Sequence, residues 1–496
     1  MFLQIFQRSV AICYGISGKN LLYYPRILPT EVRAVKKKFI ILVVVLLMIL
    51  SLVGPSGCKQ EVHDRIQTGG NAITVTAVTG SGLAQPAIYV GEERPGTVLG
   101  YQGYCFAVEK GRAVLYKAGT EMNELASKAL SGVSENGSLD LRLEIEDQVI
   151  RCFVLDDAAG VEPWPEIELN ISSCEGFRVG CVDLAEKDTV FQDLQIRYYT
   201  PKVYEKTYTN PVYDHLADPE VIYEDGTFYL YGTGGMGYGV HTSDDLVNWG
   251  RRGTAVYGTL WGITRNYWAP DIDYVDGKYY MAVTCDEKLG FAVSDSLMGP
   301  FQAVGDAPLY EKTIDGHIFV DDDGRRYLYY VSWDGPYGIY GVELDEQMQP
   351  IQETATLLIR ATDPWEQTEG SVAEGPYMLK HNGLYYLTYS GSGYTGIYYA
   401  VGYAVAESPL GTYEKYAHNP ILVGHTQIHG VGHHSIVTIP QTGEMWMVYH
   451  CHNSLFAVQE RKICIDRMRF SAVEGQPDRL EVYGPTVTPQ PYPELE

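Results

Sequence analysis

Five titratable residues recur at the mouths of apolar strands in the C-terminal half of this 496-residue chain: Asp218, Asp271, Asp315, Glu374 and His433. Each stands six to ten residues ahead of a glycine turn. Each is followed by a buried-strand pattern: PEVIY, IDYV, GHIFV, GPYML and HSIVTI. Carboxylates that converge on one axis repel each other and drive their pKa values apart. Chemistry that needs one acid and one base exploits such a pair. A single Asp before Pro or Gly is an ordinary turn residue. Five titratable residues at equivalent points of a repeat need another explanation.

The repeat itself is carried by DGTFYLYGT at Gly226, DGKYYMAVT at Gly277, DGRRYLYYV at Gly324, NGLYYLTYS at Gly383 and TGEMWMVYH at Gly443. Asp-Gly or Asn-Gly between alternating apolar runs is a strong hairpin signal. Each copy trails a second half, such as FAVSDSLMGPFQAV or YAVAESPLGTYEKY. Each unit therefore holds about four strands, the content of one propeller blade. Five blades are expected over residues 204–484, with a tail at 485–496. The first strand of each blade lines the central channel, which brings the five residues together. The longer units place extra loops at 357–371 and 417–431.

Residues 73–200 read as a separate unit of short alternating strands, for example LDLRLEIEDQVIRCFVLDD. That pattern predicts an antiparallel sandwich, with 59–72 as a tether ahead of it. The fold class is all-β, an N-terminal β-sandwich followed by a five-bladed β-propeller.

Lys36, Lys37 and Lys38 precede an apolar run over 39–54, then Pro55-Ser56-Gly57-Cys58. A basic segment, a short apolar stretch and small residues describe an export signal. The run is short for a membrane span, which needs about 20 residues. Gly57-Cys58 resembles a bacterial lipoprotein box, with Pro55 where Leu is usual. The alternative is an uncleaved anchor. Residues 1–35 are unusual upstream of such a signal, and a start near Val35 is expected. No CxxC pair occurs among the nine Cys, which argues against zinc. Cys152 and Cys181 sit in strand patterns that suit buried thiols at least as well as bridges. A net charge of −25 argues against nucleic acid as a partner. Tyr is abundant, 40 against 13 Phe and 7 Trp, and many form the aromatic pair after each hairpin glycine.

Ala217-Asp218-Pro219, Trp268-Ala269-Pro270-Asp271, Ile314-Asp315, Glu374-Gly375-Pro376 and Gly432-His433-His434-Ser435 resemble glycoside hydrolase family 43. The resemblance spans about Tyr204 to Phe470. Gly176-Phe177-Arg178-Val179-Gly180 and Val190-Phe191-Gln192-Asp193-Leu194 resemble laminin-G or concanavalin-like sandwiches, either a sugar-binding module or a structural appendage.

The family resemblance implies an inverting glycosidase. Asp218 matches the general base and Glu374 the general acid. Asp271 matches a third carboxylate that orients the acid and tunes its pKa. His433 matches a channel histidine facing a water-coordinated calcium ion, or else a plug that hydrogen-bonds in the channel. His434 stands where the family has Asn. Trp268, Phe319 and Trp333 are candidate walls for the sugar, and Asp315, Arg467 and His450 candidate polar contacts. Inversion needs the two carboxyl groups about 6.5–9.5 Å apart, a gap that different blades can supply. The expected activity is release of terminal pentose from plant polysaccharide by an exported, membrane-tethered enzyme. An α-L-arabinofuranosidase comes first, then a β-xylosidase or endo-arabinanase, then a non-catalytic sugar-binding protein. The retaining fructosidases, with Asn-Asp-Pro-Asn and Glu-Cys motifs, fit less well.

Overall fold

A computed structural model describes residues 60–67, 69–79, 84–130, 137–155, 164–185 and 189–496, all within one compact unit. The expected export signal, the lipoprotein Cys58 and the start near Val35 lie outside the described residues. Among the described residues no helix is long and apolar enough to cross a membrane. The fold is all-β; the helical elements among these residues are two short 3-10 turns, Gln352–Thr354 and Pro364–Gln367.

The N-terminal part packs two antiparallel sheets. One orders Gln60–Arg65, Arg178–Asp183, Pro86–Glu93, Tyr101–Glu109, Arg112–Ala118 and Met122–Ala129. The other orders Thr189–Tyr199, Gly70–Thr79, Gly137–Glu146, Val149–Leu155 and Ile167–Asn170. Along Gly70–Thr79, Ile73, Val75 and Ala77 are buried while their neighbours are half-exposed. That alternation puts one face on a core shared with Phe106, Leu115, Leu141, Ile150 and Val179. The segment 59–72, expected as a tether, instead enters both sheets. Gln60–Arg65 pairs with Arg178–Asp183, and Gly70 begins the strand paired with Gly137–Glu146. An edge strand is held by its backbone and needs no apolar run to announce it. The seven described cysteines are buried, and no disulfide joins any two of them.

Five antiparallel meanders follow. In the first, third, fourth and fifth blades the hairpin glycines Gly226, Gly324, Gly383 and Gly443 have φ from 74° to 83°, and Gly277 of the second has 84°. Asp225, Asp276 and Asn382 before them are also left-handed. Two consecutive positive φ values make the turn whose twist matches the strands. The first strands are Glu220–Glu224, Tyr267–Val275, Thr313–Val320, Ala373–His381 and Gly432–Thr438. Each touches the next around the ring, and the fifth touches the first.

Five apolar clusters fill the spaces between neighbouring blades. Tyr231 and Val240 meet Met281 and Val283; Phe291 meets Leu328 and Val342; Tyr329 and Val331 meet Leu387 and Tyr389. Tyr386 and Tyr403 meet Met447 and Tyr449, and Val221 and Leu230 meet Trp446 and Val448. The repeated tyrosines are thus blade glue. Their hydroxyls still need partners when buried, and Tyr329 finds the Pro409 carbonyl at 3.1 Å and Tyr386 that of Asp478 at 2.8 Å.

The final blade uses four strands of its own, ending with Arg479–Val482. Residues 485–496 are not a loose tail. Gln490–Pro491 pairs with Thr207–Tyr208. Across this seam the buried Glu168 of the sandwich accepts from Arg151 Nε (2.9 Å), Gln490 Nε2 (2.9 Å) and the hydroxyls of Tyr483 and Thr488. Trp164 stacks on Tyr483.

Candidate active site

The site end of each first strand has a kink. Asp218, Ala269, Asp315, Gly375 and His433 have φ of 52°, 35°, 57°, 55° and 43°. In blades two to five the strand pairing shifts at this point. These residues are the structural equivalents around the channel mouth. L-residues rarely adopt such φ values, and the conformation concentrates at functional sites. The kink turns Asp218 and Asp315, and Glu374 beside Gly375, into one buried space.

Asp218 is gripped on every side. Arg461 reaches it with Nη1 2.7 Å from Oδ1 and Nη2 3.2 Å from Oδ2. Thr233 donates its hydroxyl to Oδ2 at 2.5 Å. His450 Nδ1 lies 3.1 Å from Oδ1 and His433 Nδ1 3.5 Å. Arg461 Nη1 is 3.4 Å from His450 Nε2. The Asp218 backbone N–H also lies 3.3 Å from His450 Nδ1, so this ring edge faces both the amide and the carboxylate of Asp218. Burial and Arg461 hold His450 neutral, down to about 3. Burial opposes ionisation of Asp218, but Arg461 and the two histidines outweigh it and hold its carboxyl well below the usual range. It is a permanent carboxylate.

Glu374 has the opposite setting. Burial and the charge of Asp218 push it up to about 7, against the pull of the Tyr399 hydroxyl, 2.8 Å from Oε1, and of Arg461. Asp315 is its neighbour in charge. Burial, then Glu374 and Asp218, push Asp315 well above the ordinary range, while its Oδ2 accepts the Gly375 N–H at 3.2 Å. Asp315 and Glu374 titrate as a pair that keeps a proton into the neutral range. One fixed carboxylate and one proton-holding carboxyl are what acid–base hydrolysis requires.

Asp271 is not the third carboxylate of this group. Its Oδ1 takes His317 Nδ1 at 2.6 Å and its Oδ2 takes the Ile318 N–H at 2.8 Å. It belongs to a deeper ring with Glu220, His317, Tyr377 and His434. There it clasps the second blade to the third. Asp315, expected as a sugar contact, holds the place beside the acid. Ala269 takes the second blade's place at the mouth.

Two further expectations are corrected. Phe319 packs among Tyr327, Tyr329 and Tyr385 in the core between blades three and four. Arg467 pairs with Glu444 at 3.1 Å, covers the Trp446 ring and holds the Pro491 and Tyr492 carbonyls. It is a clamp on the C-terminal segment. Trp268 is half-buried beside Ala269, whose N–H donates to Thr233 Oγ1 at 2.9 Å. Trp333 is half-buried just beyond the strand Arg326–Ser332, at the same end. Arg461, Thr233 and Tyr399 carry the site and were not singled out from sequence.

His433 lies with Nδ1 3.5 Å from Asp218 Oδ1. Among the described residues no group of three His, Cys, Asp or Glu is arranged to hold a metal ion. The unpartnered buried atoms of the channel, His317 Nε2 and His434 Nδ1, are nitrogens, whereas calcium takes six to eight oxygens. The donors do not fit direct calcium ligation, and no chemical step here runs through a metal.

A closed ring of five meanders with an ionised and a protonated carboxyl at its mouth defines a propeller glycosidase. Residues 208–475 match the family model for glycosyl hydrolases family 43, and the chain belongs to that family. It is a glycoside hydrolase, of a family that typically works with inversion. It is 30% identical over 292 residues to the β-D-galactofuranosidase xynD of Aspergillus niger, covering 53% of this chain and 82% of that one. It is 28% identical to a xylosidase/arabinosidase of Bacteroides ovatus, covering 49% and 92%. Among solved structures, a thermostable family-43 glycoside hydrolase shares 34% identity at a TM-score of 0.53, covering 58% of this chain and 99% of the other. An endo-1,4-β-xylanase from Bacteroides thetaiotaomicron shares 34% at 0.52, covering 57% and 99%.

Proposed function

We propose that this protein releases a terminal pentose from plant polysaccharide or its oligosaccharides, with α-L-arabinofuranoside as the preferred substrate. Asp218 activates the attacking water as general base. Glu374 delivers its proton to the leaving oxygen as general acid. Asp315 forms the proton-holding pair with Glu374 and holds the Gly375 backbone. The observation that carries the reading is the opposed setting of Asp218 and Glu374 within one buried mouth. The names of similar proteins (xylosidase/arabinosidase, endo-α-(1->5)-L-arabinanase, β-D-galactofuranosidase) support a pentose or furanose substrate. A β-xylosidase is the second reading, supported by the B. ovatus relative's double name. Initial rates on the p-nitrophenyl α-L-arabinofuranoside, β-D-xyloside and β-D-galactofuranoside test it. The arabinofuranoside is expected fastest; a faster xyloside or galactofuranoside replaces that choice. Export and a lipid on Cys58 complete the proposal. Labelled fatty acid incorporated by the wild type and lost in Cys58→Ala is the expected result.

A further inference from the structure

Nine large hydrophobic side chains are exposed in the described propeller, and five of them stand in three neighbouring loops at the site end. Tyr394 and Tyr398 lie in the loop 392–399 of blade four, Leu455 and Phe456 in 452–461 of blade five, and Met236 in 232–236 of blade one. Phe456 is 94% exposed and Met236 69%. Neither packing nor hairpin geometry requires an aromatic ring in water. Contiguous exposed apolar surface beside a cleft marks a ligand surface.

The loops are built on the catalytic residues. The blade five loop runs from just after His450 to Arg461, two of the partners of Asp218. Its tip is a tight turn, with Ser454 N–H on Ala457 O at 3.0 Å and Phe456 N–H on Ser454 Oγ at 3.3 Å, and it lifts Leu455 and Phe456 outward. The blade four loop ends at Tyr399, whose hydroxyl meets Glu374, and Tyr398 beside it is exposed. The two loops are tied together. His452 Nε2 meets the Tyr394 carbonyl at 2.8 Å, and the Arg461 guanidinium lies over the Tyr394 ring at 5.0 Å.

From this placement we infer that Tyr394, Tyr398, Leu455 and Phe456 form an apolar shelf for the sugars of the leaving group. The inference rests on the glycosidase reading of the site. Glu374 protonates the leaving oxygen, so the chain that departs leaves past the blade four loop that carries Tyr398. Sugar rings present C–H faces that stack on aromatic rings, and a neutral glycan pays no desolvation cost for charge there. A stacking contact made equally in the bound substrate and in the transition state acts on KM.

The test compares wild type, Phe456→Ala and Tyr398→Ala/Phe456→Ala on an aryl pentoside and on linear oligosaccharides of the same pentose with four or more units. The ratio of kcat/KM on the oligosaccharide to that on the aryl glycoside is expected to fall about tenfold, carried by KM. A merely structural role would lower both rates and leave the ratio in place, which overturns the shelf. Gel electrophoresis through arabinan, arabinoxylan or xylan gives a reading that needs no turnover. Wild type retarded more than the double variant in one of these gels supports the shelf, whichever pentose is cleaved. Equal migration in all of them overturns it, and leaves the assignment of Asp218 and Glu374 standing.

Discussion

Arg461 binds both carboxylate oxygens of Asp218, at 2.7 and 3.2 Å, from a position 243 residues away in the chain. This pair makes the base permanent, because a buried carboxylate without its countercharge would take up a proton. Asp218→Ala removes the base, and kcat is expected to fall about 10³-fold, within the usual range for acid–base residues. Arg461→Ala leaves the base in place but unpaired. Its carboxyl then ionises at higher pH, and the acidic limb of kcat/KM moves upward. An acidic limb that stays put in Arg461→Ala would show that the arginine does not set the charge of Asp218.

The alkaline limb belongs to Glu374, held up to about 7 by burial and by Asp218. Catalysis needs its protonated form, so activity is present below this value and lost as pH rises through it. The Tyr399 hydroxyl favours the carboxylate. Tyr399→Phe takes that donor away, the proton is held more tightly, and the alkaline limb moves up. The pH profile of kcat/KM on an aryl glycoside reads this directly; a limb that moves down contradicts the assignment of Glu374 as the acid.

Asp315 and Asp271 are distinguished by different measurements. Asp315→Asn takes away the second carboxyl of the pair and the acceptor of the Gly375 N–H, so Glu374 titrates alone and the alkaline limb shifts, with a loss of kcat. Asp271→Ala breaks the clasp to His317 and Ile318 and leaves two buried donors without partners. It should cost about 2 kcal/mol of stability or more and move the limb far less. Thermal unfolding and pH profiles of both variants separate the roles. An alkaline limb that responds to Asp271 and not to Asp315 would restore the reading made from sequence.

The all-β class and the repeat were legible because each blade announces itself with a glycine hairpin and an aromatic strand. Asp218 and Glu374 were legible because their neighbours form specific motifs. The error over Asp271 had a visible cause. It stands six residues before its hairpin glycine, while Asp218, Asp315, Glu374 and His433 stand eight to ten before theirs. Ala269, eight before Gly277, keeps the spacing, and its φ of 35° places it at the mouth. Arg461 left no periodic signal, since it sits where a loop meets a strand and its partner lies in another blade. Only the need of a buried carboxylate for a countercharge pointed to it. Phe319 and Arg467 failed as sugar contacts because residue type and strand position do not tell which gap between blades a side chain enters.

Glu168 supplies the last prediction, on how the sandwich is held. One buried carboxylate collects Arg151, Gln490, Tyr483 and Thr488, three of them from the far end of the chain. Trp164 adds a stack on Tyr483 with ring centroids 5.5 Å apart, and the Arg469 guanidinium lies 4.0 Å over Trp164. Removing a buried charge strands its partners, and among the described residues Glu146 at 3.0 Å is the carboxylate left to Arg151. Glu168→Ala is therefore expected to cost about 3 kcal/mol and to lower Tm in calorimetry. Glu168→Gln retains the shape and part of the hydrogen bonding and should fall between. Activity on an aryl glycoside at low temperature should persist in both, since Asp218 and Glu374 take their partners from the propeller alone. An unchanged Tm in Glu168→Ala would mean that the stacked Trp164, rather than the carboxylate, holds the two parts together.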